Sequence, residues 1–207
     1  FNYHKQEGRR TLLYFGAVNY DSHVYVNTKH VAHHIGGFTP FNIDVTNELK
    51  EGENVVIVKV DNKRHRDNVP TQIFDWWNYG GITRDVMLVE VATNYIENYK
   101  WELCKTTTKD KKRTITLEGN LNKAEAGQQI EVNIPELKLK QTMTTDAEGH
   151  FSATFSIQKK KLTLWTPENP KLYNTELTLA GETLKDQIGF RTIETRGKQI
   201  LLNGKTS

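Results

Sequence analysis

Cysteine is almost missing: Cys104 is the one thiol among 207 residues. The chain therefore closes no internal disulfide, and a single thiol suits a reducing or an oxidising compartment equally. Also missing is any apolar run of the roughly 18 residues that a membrane-crossing helix needs, so no membrane partner is expected. A surplus of one charge sign is absent as well. The 28 basic and 25 acidic residues leave +3, too near balance for a face built to bind polyanions, which excludes nucleic acid as an expected partner. The dense basic runs, Lys109-Asp110-Lys111-Lys112-Arg113 and Lys159-Lys160-Lys161, sit between strand-like segments and read as solvated turns. The chain opens on Phe1 with no charged-then-apolar leader, which leaves a periplasmic, secreted or cytoplasmic location undecided.

Helical spacing is the last absence. Apolar residues recur at every second position and almost nowhere at three-and-four intervals, so the expectation is an all-β protein. In the first half, residues 12–15, 23–26, 41–45, 55–60 and 86–91 read as strands, separated by loops with Gly, Asn, Asp or Pro. Asn27-Thr28-Lys29-His30 reads as a hairpin turn, with Asn27 suited to a positive φ. Thr46 or Asn47 is expected to cap one short helical turn that Gly52 ends. After Val91 the alternations become shorter and cleaner. Ile115 and Leu117, then Ile130, Val132 and Ile134, then Phe151, Ala153, Phe155 and Ile157, then Leu177 and Leu179 each share a face. About one hundred residues of such strands predict an immunoglobulin-like sandwich. Two domains are expected, residues 1–92 and 93–189, followed by a terminal segment, 190–207.

One stretch concentrates aromatics, a carboxylate, a glycine pair and an Arg-Asp step: Asp75-Trp76-Trp77-Asn78-Tyr79-Gly80-Gly81-Ile82-Thr83-Arg84-Asp85-Val86. Together with Gly36-Gly37-Phe38-Thr39-Pro40-Phe41-Asn42-Ile43-Asp44-Val45-Thr46 and Phe15 through Asn27, it resembles the sugar-binding domain of glycoside hydrolase family 2. That family comprises β-galactosidases, β-glucuronidases and β-mannosidases. Thr28 departs from it, standing where glycine commonly follows the asparagine, so a different turn type is expected. Leu164-Trp165-Thr166-Pro167-Glu168-Asn169-Pro170-Lys171-Leu172-Tyr173 resembles the family's segment before the last strands of its second domain.

The resemblance implies a jelly-roll, galactose-binding-like β-sandwich followed by the immunoglobulin-like one, with residues 190–207 leading into a (β/α)₈ barrel. That barrel would carry both catalytic glutamates, which a retaining glycosidase holds about 5–5.5 Å apart. No catalytic residue is expected in this chain, and no cofactor. Its implied partners are a β-glycoside substrate and its own barrel, with a homo-oligomer allowed. The implied parent is a retaining glycosidase, most readily a β-galactosidase, with β-glucuronidase and β-mannosidase as alternatives. A stand-alone carbohydrate-binding module is the rival from another class.

Asp75 lines up with a family carboxylate that hydrogen-bonds the bound sugar, and Asn78 is a further polar contact on the same loop. Against this, Asp75 could merely close a turn. Trp76, Trp77 and Tyr79 read as core or domain-interface aromatics, and Arg84-Asp85 as a buried or interfacial ion pair. His30, His33 and His34 suggest metal ligation. Adjacent His33 and His34 point to opposite sides of a strand, however, and no Asp or Glu lies at a zinc-motif spacing, so exposed hairpin histidines are expected instead.

Overall fold

The computed structural model describes residues 1–73, 75–104 and 111–206, so Lys109-Asp110 of the first basic run lies outside the described residues. The chain forms two units, Phe1–Thr93 and Asn94–Ser207. Both are built from antiparallel strands, the jelly roll first and the immunoglobulin-like sandwich second.

In the first unit, one sheet runs in the order Val86–Ala92, Arg9–Phe15, Phe41–Asp44, and the other Lys29–Ile35, Asp21–Val26, Val56–Asp61. Two short ladders, Asn2–Tyr3 with Gly52–Glu53 and Val18–Asn19 with Gly81–Ile82, complete it. Alternation assigns the faces. Along Asp21–Val26, Ser22, Val24 and Val26 are buried while Asp21, His23 and Tyr25 occupy the outer face. Leu13, Phe15, Val18, Val24, Val26 and Ile43 form the centre of the core. Sequestering a side chain such as fully buried Phe15 stabilises the unit by about 1.5–3 kcal/mol.

The hairpin between Asp21–Val26 and Lys29–Ile35 has a two-residue loop in which Asn27 (φ 47°) and Thr28 (φ 73°) are both left-handed. Positive φ at both central residues is what a type I′ turn demands, so the expected change of turn type does not occur. Thr28 adopts the backbone conformation that glycine would, and its branched Cβ makes this costly. Thr28→Gly is therefore expected to raise stability by about 1 kcal/mol, read as a higher urea midpoint at unchanged slope.

Asn27 is fixed from the side-chain direction too. Its Nδ2 donates to the Glu48 carbonyl at 2.9 Å and to Asn54 Oδ1 at 2.7 Å, and its Oδ1 accepts from the Val55 amide at 3.1 Å. Asn54 is fully buried. Its Oδ1 also accepts from the Lys50 amide at 3.0 Å, and its Nδ2 donates to the carbonyls of Lys50 at 2.8 Å and Gly52 at 2.9 Å. The short helical turn is present, with the Val45 carbonyl accepting from the amides of Glu48 and Leu49. The side chain at its start is Asp44 rather than Thr46 or Asn47: the carboxylate accepts from the Thr46 amide and hydroxyl and from Arg10. Partial burial pushes the Asp44 carboxyl up, but the bonds from Thr46 and Arg10 together hold it below its ordinary 3.8.

In the second unit, Ile96–Leu103, Lys112–Leu121 and His150–Gln158 form one sheet, and Leu139–Thr144, Gln129–Ile134, Tyr173–Leu179 and Glu182–Ile188 the other. Ile115, Leu117, Ile130, Val132, Ile134, Phe151, Phe155, Ile157, Leu177 and Leu179, read from the sequence as sharing inward faces, are all buried, and Ala153 packs partly buried against them. Gly119 permits a close approach of neighbours, since a Cβ there would come within 2.5 Å of both the Asn98 carbonyl and the Phe151 ring. The Trp165 segment is bound on both sides. Its amide donates to the Phe190 carbonyl at 2.9 Å, Asn203 Nδ2 donates to its carbonyl at 3.0 Å, and the Arg191 guanidinium lies 5.1 Å from its ring. These bonds attach the terminal sheet of Ile193–Arg196, Gln199–Leu202 and Lys205–Thr206 to the second sandwich.

Candidate functional site

A cavity of about 710 Å³ opens in the first unit between the Asn19–Gly37–Phe38 side and the Trp76–Tyr79 loop. The loop is irregular, yet asparagines hold it at both ends. Asn19, nearly buried on its short strand opposite Gly81, donates from Nδ2 to Asn78 Oδ1 at 3.1 Å and to the Tyr79 carbonyl at 2.5 Å. Asn62 Nδ2 donates to the Asn78 carbonyl at 2.9 Å, and Asn78 Nδ2 donates back to the Asn62 carbonyl. Arg64 adds a bond to the Trp76 carbonyl. Side-chain amides thus satisfy backbone groups that no ladder reaches.

With its backbone fixed this way, the loop presents its side chains outward. Trp76, Trp77 and Tyr79 are 73 %, 85 % and 75 % exposed. Of the two expected placements, core or domain interface, the core one does not hold within this unit, since all three rings lie on its surface. Exposed aromatics clustered beside a cavity suit either a ligand or a further packed surface. Asp75 is exposed, and among the described residues its side chain has no hydrogen-bond partner. An ionised carboxylate of this kind accepts hydrogen bonds only, while the neighbouring indoles offer flat apolar faces. Asn78 is half-buried, and its amide braces the loop. Arg84 and Asp85 are both exposed, and among the described residues they form no ion pair. Arg84 donates instead to the Phe38 carbonyl at 3.3 Å, and the Asp85 carbonyl accepts from the Gly16 amide at 2.9 Å.

The histidines divide differently from expectation. His34 is half-buried, its ring stacked on Phe41 at 4.1 Å. His33, on the opposite side of the strand, has a carboxylate beside it after all: Asp21 Oδ1 lies 2.8 Å from His33 Nε2. His23 stacks on the His33 ring at 4.2 Å. Asp21 and His23 were not singled out from the sequence. The available signal was the Asp-x-His alternation on one strand face, opposite a second histidine in the hairpin.

Two family models match. Residues 2–92 match the glycosyl hydrolases family 2 sugar binding domain, and residues 94–191 match glycosyl hydrolases family 2. A Formosa agariphila protein assigned provisionally to the beta-glucuronidases is 32 % identical over 93 % of this chain, which spans 25 % of that protein. A beta-galactosidase of Thermoanaerobacter pseudethanolicus is 28 % identical over 97 % of the chain, which spans 28 % of it. The chain thus covers about a quarter of the length of these curated relatives. The structure of Bifidobacterium dentium beta-glucuronidase complexed with coumarin-3-O-glucuronide superposes over the whole chain, and over 40 % of its own, with a TM-score of 0.84 at 22 % identity, a likeness of fold. With both of its sandwiches matched in order, the chain belongs to glycoside hydrolase family 2.

Proposed function

We propose that this chain is the non-catalytic, sugar-binding side of a retaining β-glycosidase, in which Asp75 accepts hydrogen bonds from the hydroxyls of a terminal β-linked sugar. The observation that carries this reading is the asparagine-pinned loop, whose Trp76, Trp77, Asn78 and Tyr79 line a cavity of about 710 Å³ with exposed Asp75 next to them in the chain. An acceptor flanked by flat apolar faces suits a sugar, whose hydroxyls and C–H faces alternate. Asn78 keeps one N–H and one lone pair uncommitted by its loop bonds, enough for a second polar contact. Residues 190–207 then lead into the barrel that supplies both catalytic glutamates, and self-association through either sandwich is compatible with this arrangement.

β-Galactosidase is the first reading of the substrate. β-Glucuronidase is the second, supported by the assignment of the 32 % identical relative. The test compares the 207-residue chain with a polypeptide that continues into a family 2 barrel. The joined polypeptide is expected to hydrolyse an aryl β-galactoside or an aryl β-glucuronide. The chain alone is expected to hydrolyse neither and to give no measurable heat with galactose or glucuronic acid, because half of the pocket is absent. Saturable binding by the isolated chain would identify it as a self-sufficient carbohydrate-binding module and overturn the proposal.

A further inference from the structure

On the outer face of the first sandwich, away from the asparagine-pinned loop in sequence, we infer that Asp21, His23 and His33 form a binding site for a divalent transition-metal ion of the zinc type. One ligand atom from each, a carboxylate oxygen and two imidazole nitrogens, falls within 4.8 Å of the others. Asp21 Oδ1 stands 2.8 Å from His33 Nε2 and 3.6 Å from His23 Nε2. These distances bracket the ~3.3 Å between donor atoms in a tetrahedron with metal–ligand bonds of about 2.0–2.1 Å. Closure needs small rotations that tilt the two stacked rings apart. Side-chain exposures of 40 %, 34 % and 43 % for Asp21, His23 and His33 leave the cluster partly open to solvent, so that water can reach a fourth position.

Strand geometry explains why these residues meet. Asp21 and His23 share a face by simple alternation, and His23 lies directly opposite His33 in the hairpin. A bulge then shifts the register, so that Val24 pairs with Ala32 but Tyr25 with His30. The extra residue brings His30 onto the same face as His33, which three-residue spacing would otherwise forbid. His30 Nε2 lies 3.2 Å from His23 Nδ1. It is placed to accept a hydrogen bond from the Nδ1–H of His23, leaving Nε2 of His23 as the nitrogen that faces Asp21, the arrangement by which metal-bound histidines are fixed in tautomer and orientation. Two imidazoles with a single carboxylate favour zinc, cobalt, nickel or copper over magnesium or calcium, which take oxygen donors.

The experiment is a calorimetric titration of the 207-residue chain, made without a polyhistidine tag, with Zn²⁺, with Mg²⁺ and Ca²⁺ as controls. One equivalent of Zn²⁺ is expected to bind, with Co²⁺ in its place giving the strong visible absorption of a four-coordinate site. His23→Ala, His33→Ala and Asp21→Asn are each expected to weaken binding more than about tenfold, and His30→Ala about tenfold through the lost tautomer control. His34→Ala, on the opposite face, is expected to leave binding unchanged. Circular dichroism of each variant separates lost ligands from lost fold. Absence of Zn²⁺ binding by the wild-type chain, or binding that persists in folded His23→Ala and His33→Ala, would overturn the site.

Discussion

Asp75→Ala, introduced into a polypeptide that joins this chain to a family 2 barrel, is expected to lower kcat/KM for its aryl β-glycoside by about a hundredfold, the scale of losing one preorganised polar contact to a reacting sugar. Folding should be untouched. The carboxylate is exposed and bonds to no partner among the described residues, so its removal opens no cavity and leaves no buried group unpaired. Steady-state kinetics beside a thermal unfolding curve separates the two effects. Asp75→Asn keeps the size but exchanges an acceptor for a mixed donor and acceptor, and should fall between wild type and alanine. Unchanged kinetics in Asp75→Ala would remove this residue from the pocket and reduce the loop to its aromatic faces.

The second large effect concerns stability. Asn54→Ala is expected to destabilise the first sandwich by about 3 kcal/mol, measured by urea unfolding. Its side chain is fully buried and makes four hydrogen bonds, with Asn27 Nδ2, the Lys50 amide, and the carbonyls of Lys50 and Gly52. Alanine abandons all four partners in a place that water does not reach, and each buried orphan costs about 1–3 kcal/mol before relaxation. Asn54 also holds Asn27, whose backbone is left-handed at the adjoining hairpin. A double-mutant cycle with Asn27→Gly should therefore show a coupling of about 1 kcal/mol. Strict additivity would mean that the two asparagines stabilise their segments independently.

The sandwiches were legible because burial follows period-two alternation: Val24 and Val26 in the first unit, and Ile130, Val132 and Ile134 in the second, are buried as the pattern requires. Lys29–Ile35 was missed as a strand. Its histidines are poor markers of an apolar face, and the bulge beside Tyr25 breaks the phase of the alternation. The same bulge hid the Asp21–His23–His33 cluster, which joins residues twelve apart across a hairpin. For the candidate site, residue types were readable and exposure was not. The loop that carries Trp76, Trp77 and Tyr79 is held by bonds from Asn19, Asn62 and Arg64, contacts that residue types alone do not reveal. Thr28 shows a related limit, since the hairpin imposes positive φ on a residue whose own preference opposes it.

In the proposed function, the first sandwich supplies one wall of a glycan pocket through Asp75. The most direct test is a crystal structure of the chain joined to its barrel, with a non-hydrolysable galactose or glucuronic acid analogue bound. An Asp75 carboxylate oxygen is expected within about 2.5–3.0 Å of a sugar hydroxyl, in reach of a hydrogen bond. A bound sugar that Asp75 does not touch, with the Trp76–Tyr79 loop facing bulk solvent, would contradict it.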